Sequence, residues 1–253
     1  MQDFTPEMYT YLLDELLRLE IPLFPVQKWI DQQPMTGILL RHDVDRRPNN
    51  ALEIAQIENS RGVASTYYFR ITKNSFDQKI IAKIHELGHE IGYHYEDLSL
   101  ANGDIQKARN LFDQHLSMFR RFVPVSTVAM HGRPLSKYDN RALWNTVTLP
   151  EFYLRGEAFL SINYDDTYYF TDTGRSWHPH AANLRDAVKS KMEVPEIHTT
   201  EELVGFIQEH PQAKYALVTH PERWNNPGVQ WIQSLVLDSV ANRIKGVIKI
   251  FRA

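Results

Sequence analysis

The feature that most constrains this chain is a recurring pair: a short apolar run followed at once by a polar cluster. "GILLR" leads into "HDVD", "EIGY" into "HYED", "STVAM" into "HGRP" and "ALVT" into "HPERW". Short apolar runs bounded by polar and turn residues read as strands. Between them lie stretches with apolar residues at helical spacing, "PNNALEIAQIENSRG", "SFDQKIIAKIHELG", "GDIQKARNLFDQHLSMFRRF" and "TTEELVGFIQEHP". Strands alternating with helices predict a parallel sheet joined by right-handed crossovers, either a barrel or an open doubly wound sheet. In both architectures sites are built at the C-terminal ends of the strands, which is where the four polar clusters fall.

The remaining elements follow the same logic. Thr5-Pro6 before Met8, Leu12, Leu13 and Leu16 predicts a capped amphipathic helix. "IPLFPVQKWIDQQP" is punctuated by proline and reads as irregular, "ASTYYFR" as a strand, and "SINYDDTYYFTDT" as a strand or hairpin. Thr200 is the expected cap of the late helix, Ser75 the expected start of the third, and "VQWIQSLVLDSVANRIKGVIKIFRA" a closing helix. No repeat, low-complexity segment or composition shift divides the chain, so residues 1–253 are expected to form a single domain.

Composition closes several doors. There is no cysteine, which excludes disulfides, thiolate nucleophiles and cysteine-bound zinc. The formal net charge is -3 and no basic block stands out, so nucleic acid is not an expected partner. No apolar run approaches the roughly 20 residues of a membrane span, and the first residues lack a signal-peptide pattern, so the expected compartment is the cytoplasm.

The stretch "RHDVDR" poses the chemical question. Asp43 and Asp45 are two apart, so on a strand both point to one side. Two carboxylates that close repel and are costly to desolvate. Either Arg41, Arg46 and Arg47 neutralise them in a surface turn, or a metal ion does so in an active site.

Asp43-Val44-Asp45, "GHEIGYH" (Gly88 to His94), "HGRP" (His131 to Pro134) and "LVTH" (Leu217 to His220) together resemble the polysaccharide deacetylase family, metal-dependent carbohydrate esterases. The form "HDVD" is similar to a divergent branch associated with surface-polysaccharide biosynthesis. The resemblance runs from Arg41 to His220 and implies a distorted (β/α) barrel of about seven parallel strands. It further implies a divalent metal, zinc first, and hydrolysis of an N-acetyl or related acyl group on a sugar or glycan. Carried over residue by residue, Asp43 is the base that activates water, Asp45 and His94 are metal ligands, Arg133 pairs with the base, and His220 protonates the leaving amine. The family's second metal histidine falls on Leu98 here, so His131 is the expected substitute ligand and Glu96 the next. Asp172, Arg175 and Trp177 of "DTGRSWH" are the expected substrate-side residues, orienting the acid histidine and walling the pocket. Tyr67, Tyr93, Tyr164 and Tyr168 offer aromatic surfaces to a sugar.

Other readings stand beside this one. His42 alternates away from Asp43 and is expected beneath the site, His89 is expected to be structural, and His178 and His180 fit a polar loop. Leu98 is compatible with a degenerate site that only binds carbohydrate or acts as a scaffold. The same ligands would also serve a hydrolase of another amide.

Overall fold

The computed structural model describes residues 1–133, 136–177, 188, 190–228, 231–232 and 235–236. His178, His180, Pro134 and most of the expected closing helix lie outside the described residues. In chain order the elements are α1 (Pro6–Arg18), β1 (Leu23–Phe24), α2 (Val26–Gln32), β2 (Gly37–Val44), α3 (Pro48–Asn59), β3 (Thr66–Phe69), α4 (Gln78–Glu86) and β4 (Glu90–Tyr95). There follow α5 (Asp97–Leu100), α6 (Ile105–Arg120), β5 (Thr127–Met130), β6 (Gly156–Glu157), β7 (Thr167–Thr171), α7 (Thr200–Glu209) and β8 (Lys214–Thr219).

The main sheet has the order β6-β5-β4-β3-β2-β8-β7, and every strand pair is parallel. It curls as a distorted (β/α) barrel with helices outside, one of the two architectures that the alternation left open and the one that the resemblance implied, and β6 and β7 form its two edges. β2 is the hub: β8 pairs along most of its length, β1 pairs with Ile38 and Leu39, and β3 takes over from Arg41 onward. Every residue of β2 is buried, as a strand covered on both faces requires. That burial includes Arg41, His42 and Asp43, polar groups that are costly to bury unless partnered.

On the outer face of β2 the partners are complete. Glu58 of α3, fully buried, accepts hydrogen bonds from Tyr9 (2.6 Å), Tyr67 (2.6 Å), Ser65 (2.7 Å) and His42 Nε2 (2.9 Å). His42 Nδ1 lies 2.6 Å from Thr219 Oγ1, and His89 Nε2 donates to the Ala55 carbonyl at 3.0 Å. Both histidines thus have the structural roles expected of them. At the foot of the barrel Glu90 accepts from the Gln27 amide, Thr66 and Thr127, which ties α2 beneath the strands. Inside, the Arg41 guanidinium lies over the Phe159 ring at 4.4 Å and the Tyr68 ring at 5.7 Å. A Cβ at Gly92 would overlap the Tyr68 ring, so the glycine of "GHEIGYH" makes room for that ring.

Several boundaries differ from the sequence reading. "IPLFPVQKWIDQQP" is ordered as β1 and α2, elements too short to show a period. α4 begins after Asp77, whose carboxylate accepts from the Lys79 and Ile80 amides, while Ser75 instead donates to the Val44 carbonyl. α7 is capped by Thr199 in a capping box with Glu202, and the Thr200 hydroxyl donates to Asp3. The tyrosine-rich segment forms a strand, β7, parallel to β8, and not a hairpin.

Candidate active site

The C-terminal ends of β2, β3, β4, β5, β7 and β8 deliver Asp43, Arg70, His94, His131, Asp172 and His220 to one end of the barrel. Two ladders run one residue past their strands and fix the last side chains. The His131 amide donates to the Tyr95 carbonyl at 2.8 Å, and the Asp172 amide donates to the Val218 carbonyl at 3.2 Å.

Asp43 is 4% exposed, and its Oδ2 accepts from Arg41 Nη2 at 2.8 Å. The partner of this aspartate is therefore Arg41, two residues back on the same strand face, and not Arg133 as the resemblance implied. Arg133 Nη1 instead lies 3.4 Å from Glu96 Oε2. Burial acts to raise the Asp43 carboxyl, but the charges of Arg41, His94 and His220 outweigh it and hold the group below its ordinary range. Asp43 Oδ1 is buried and makes no hydrogen bond.

Asp45, His94 and His131 face one another. Asp45 Oδ1 lies 3.8 Å from His94 Nε2 and 3.5 Å from His131 Nε2, and this buried oxygen makes no hydrogen bond. His94 Nε2 is also 3.9 Å from Asp43 Oδ2. The far nitrogens are engaged: His94 Nδ1 donates to the Ala129 carbonyl at 3.0 Å, and His131 Nδ1 donates to Glu96 Oε2 at 3.2 Å. A carbonyl or carboxylate partner fixes the proton on Nδ1, so each Nε2 is the atom turned toward Asp45. Burial above all lowers the basicity of His94. His131 is likewise opposed by burial, but Asp45 and Glu96 prevail and raise it. Asp45 itself sits well below the carboxylate range, because His131, His94 and Arg70 overcome the effect of burial.

Imidazoles braced through Nδ1, with Nε2 directed at a carboxylate, are groups that could hold a divalent metal. Asp45 Oδ1, buried and without a hydrogen bond, fits a position that a cation would fill. As the side chains stand, no group of three or more His, Cys, Asp or Glu residues among the described residues has the spacing of a closed metal centre. Glu96, the second-choice ligand, reaches back to brace His131 and Arg70. Leu98 is buried in α5.

His220 Nδ1 lies 2.7 Å from Asp172 Oδ1, and the His220 amide donates to Asp172 Oδ2 at 2.8 Å. Arg223 Nη1 and Trp224 Nε1 also donate to Asp172, each at 2.9 Å. Burial opposes ionisation of Asp172, but His220 and Arg223 draw it down to about 2. For His220, burial and Arg223 favour the neutral ring, and the Asp172 carboxylate overcomes them to raise its basicity. A carboxylate on Nδ1 leaves Nε2 as the nitrogen that can exchange a proton with a reacting group.

The substrate-side expectations need correction. Asp172 is fully buried and holds His220, the orienting role expected of it, and is not exposed to a substrate. Trp177 is fully buried, donates to Thr200 Oγ1 at 3.1 Å and stacks near Phe4, so it is core and not a pocket wall. Arg175 Nη2 donates to the Arg223 carbonyl at 3.0 Å and its guanidinium lies over Trp231, tying two loops together. Tyr67, Tyr93 and Tyr164 are buried, and Tyr168 packs against Phe206 and Tyr215, so none of the four is an open sugar platform.

Three residues of this end, Arg70, Glu222 and Arg223, were not singled out from sequence, and Arg41 was named there only as a possible neutraliser in a surface turn. Arg41 was visible as the same-face neighbour of Asp43, and Arg70 as the last residue of "YYFR". Glu222 and Arg223 follow His220 in "HPERW". Burial, and then the nearby Asp45 charge, push the Glu222 carboxyl upward. Among the described residues no helix is long and apolar enough to cross a membrane. Comparison of the chain with protein-family models, with curated proteins and with solved structures gives no match.

Proposed function

We propose that this chain is a metal-dependent hydrolase that removes an N-acetyl or related acyl group from a sugar or glycan precursor, as its resemblance to polysaccharide deacetylases implies. The same resemblance assigns the step to the building of surface polysaccharide. The observation that carries this reading is Asp45 Oδ1, buried without a hydrogen bond and faced by two imidazole Nε2 atoms whose other nitrogens are engaged.

In this reading Asp45, His94 and His131 would hold a divalent cation, zinc first, which when bound supplies Lewis-acid polarisation of the acyl carbonyl and of water. Asp43 accepts the proton of the attacking water at Oδ1, the oxygen that Arg41 leaves unbonded. Arg41 keeps Asp43 ionised and fixes its plane from inside the barrel. Water oxygen bonds to the acyl carbon, the carbon–nitrogen bond breaks, and His220 Nε2 gives a proton to the departing amine. Asp172 holds the His220 ring so that Nε2 faces outward from the pair.

The test is metal per chain, measured on untagged protein, wild type against Asp45→Ala, together with acetate release from N-acetylated sugars. About one equivalent in wild type, little in Asp45→Ala, and acetate release abolished in Asp43→Asn would support the reading. No metal in wild type after incubation with zinc, cobalt, nickel, manganese or iron would sink it. That outcome would favour a carbohydrate-binding or scaffold role, for which Leu98 and the lack of a closed three-ligand group among the described residues are the supporting observations.

A further inference from the structure

The rim of the site is built in two electrostatic layers. Beneath lie Glu96 and Glu222, with side chains 6% and 3% exposed. Above them lie Arg133 and Arg46, 41% and 40% exposed, and Arg70 at 20%. Arg133 Nη1 is 3.4 Å from Glu96 Oε2, and Arg46 Nε is 3.7 Å from Glu222 Oε1. Arg70 donates twice to Glu96 Oε1, at 3.1 and 2.7 Å, and reaches Asp45 Oδ1 at 3.8 Å. The carboxylates are thus the inner layer and the guanidiniums the solvent-facing one.

This polarity is local. The chain carries a net charge of -3, yet the loops after β3 and β5 add the exposed cations Lys73 and Lys137 to the same end. The charges of both signs alternate at this end, and it is the guanidiniums that face solvent and meet an incoming anion first. The backbone is also held in unusual form here: Arg133 has φ 37° and Arg47, beside Arg46, has φ 54°. Non-glycine residues in the left-handed region cost about 1 kcal/mol or more, so these loops keep a conformation that local preference opposes.

A guanidinium presents a planar fork that matches phosphate oxygens, and a carboxylate beneath it limits the freedom lost on binding. A neutral sugar would gain little from these arginines and would have to desolvate them. We infer that the substrate carries a phosphate or diphosphate group beside the acylated sugar, gripped by Arg46 and Arg133 with Arg70 behind them. The sugar half of this inference rests on the hydrolase reading; the anion site rests on the arginines.

Isothermal titration of the full chain with uridine diphosphate, geranyl diphosphate and N-acetylglucosamine tests it, using wild type, Arg46→Gln, Arg133→Gln and Arg133→Lys. Arg109→Gln, on α6 and paired with Glu151, serves as the distant control. The expected result is diphosphate binding at least about tenfold tighter than the neutral sugar, weakened about tenfold by each Gln variant. Arg133→Lys should fall between, because it keeps the charge and loses the fork. The preferred diphosphate tells a nucleotide-linked from a lipid-linked source. No diphosphate binding, or affinity unchanged in both Gln variants, as simple chelation of a bound metal would give, overturns the inference. Metal per chain is measured on the same samples. Metal without diphosphate binding removes the anion site and leaves the hydrolase reading; arginine-dependent diphosphate binding without metal does the reverse.

Discussion

On the outer face of β2, His42 and His89 surround the Glu58 carboxylate; on the inner face, His94 and His131 surround Asp45. The residue types are the same and the hydrogen-bond accounts are opposite. Glu58 accepts from two tyrosines, a serine and His42, all within 2.9 Å. Asp45 Oδ1 accepts from nothing, although it is buried and two imidazoles stand at 3.5 and 3.8 Å. A buried charge with every lone pair matched specifies structure; one left unmatched is costly and needs another reason to exist. The comparison therefore separates two clusters that composition alone would rank together.

Breaking the inner cluster should have the largest effect, and on chemistry. Asp43→Asn is expected to lower hydrolysis about 10²- to 10⁴-fold while metal per chain stays near wild type, and to lower the unfolding midpoint because the buried Arg41 loses its carboxylate, measured by acetate release, elemental analysis and thermal melting. A variant that also lost its metal would show that Asp43 is a ligand and not a base.

Breaking the outer cluster should act on stability. Glu58→Ala leaves His42, Tyr9 and Tyr67 with buried donors and no acceptor, at an expected cost of about 3–5 kcal/mol in denaturant unfolding. Glu58→Gln, which restores an acceptor, should cost less. A Glu58→Ala protein as stable as wild type would end the contrast between the two clusters.

The pH dependence sharpens it further. Burial opposes ionisation of Glu58, but His42, His89 and Tyr67 bring its carboxyl down to about 2 in the folded chain. A folded value below the unfolded one of about 4.5 gives stability that is fully present above that pH. It is lost as pH falls toward about 2, with a total of about 3 kcal/mol. Wild type should lose more stability than Glu58→Gln across that window in urea titrations at successive pH values. Equal losses would assign the acid sensitivity to other carboxylates.

The smallest expected effect lies in the support of His220. Asp172→Asn should lower hydrolysis about tenfold to a hundredfold and shift the basic limb of the pH–rate profile to lower pH, because the carboxylate that raises His220 is gone. An unchanged profile with lower activity would reduce Asp172 to packing.

The parallel alternation of strands and helices, and the end of the sheet that carries polar residues, were legible in the sequence. Both are periodic, local properties: apolar runs, a cap at Thr5, and a polar cluster directly after each strand. The sequence also supplied Asp43, Asp45, His94, His131 and His220, because each ends or follows a strand. Only the tertiary structure decided who partners whom. Arg41 takes Asp43 because the strand pleat brings residues two apart onto one face, and Arg133, past the end of β5, goes to Glu96. Asp172 and Trp177 were both expected beside His220, yet only the first fastens it and the second fills the core. Spacing along a chain fixes a side chain's face; burial and the atoms across the barrel decide its chemistry, and those come from segments far apart in sequence.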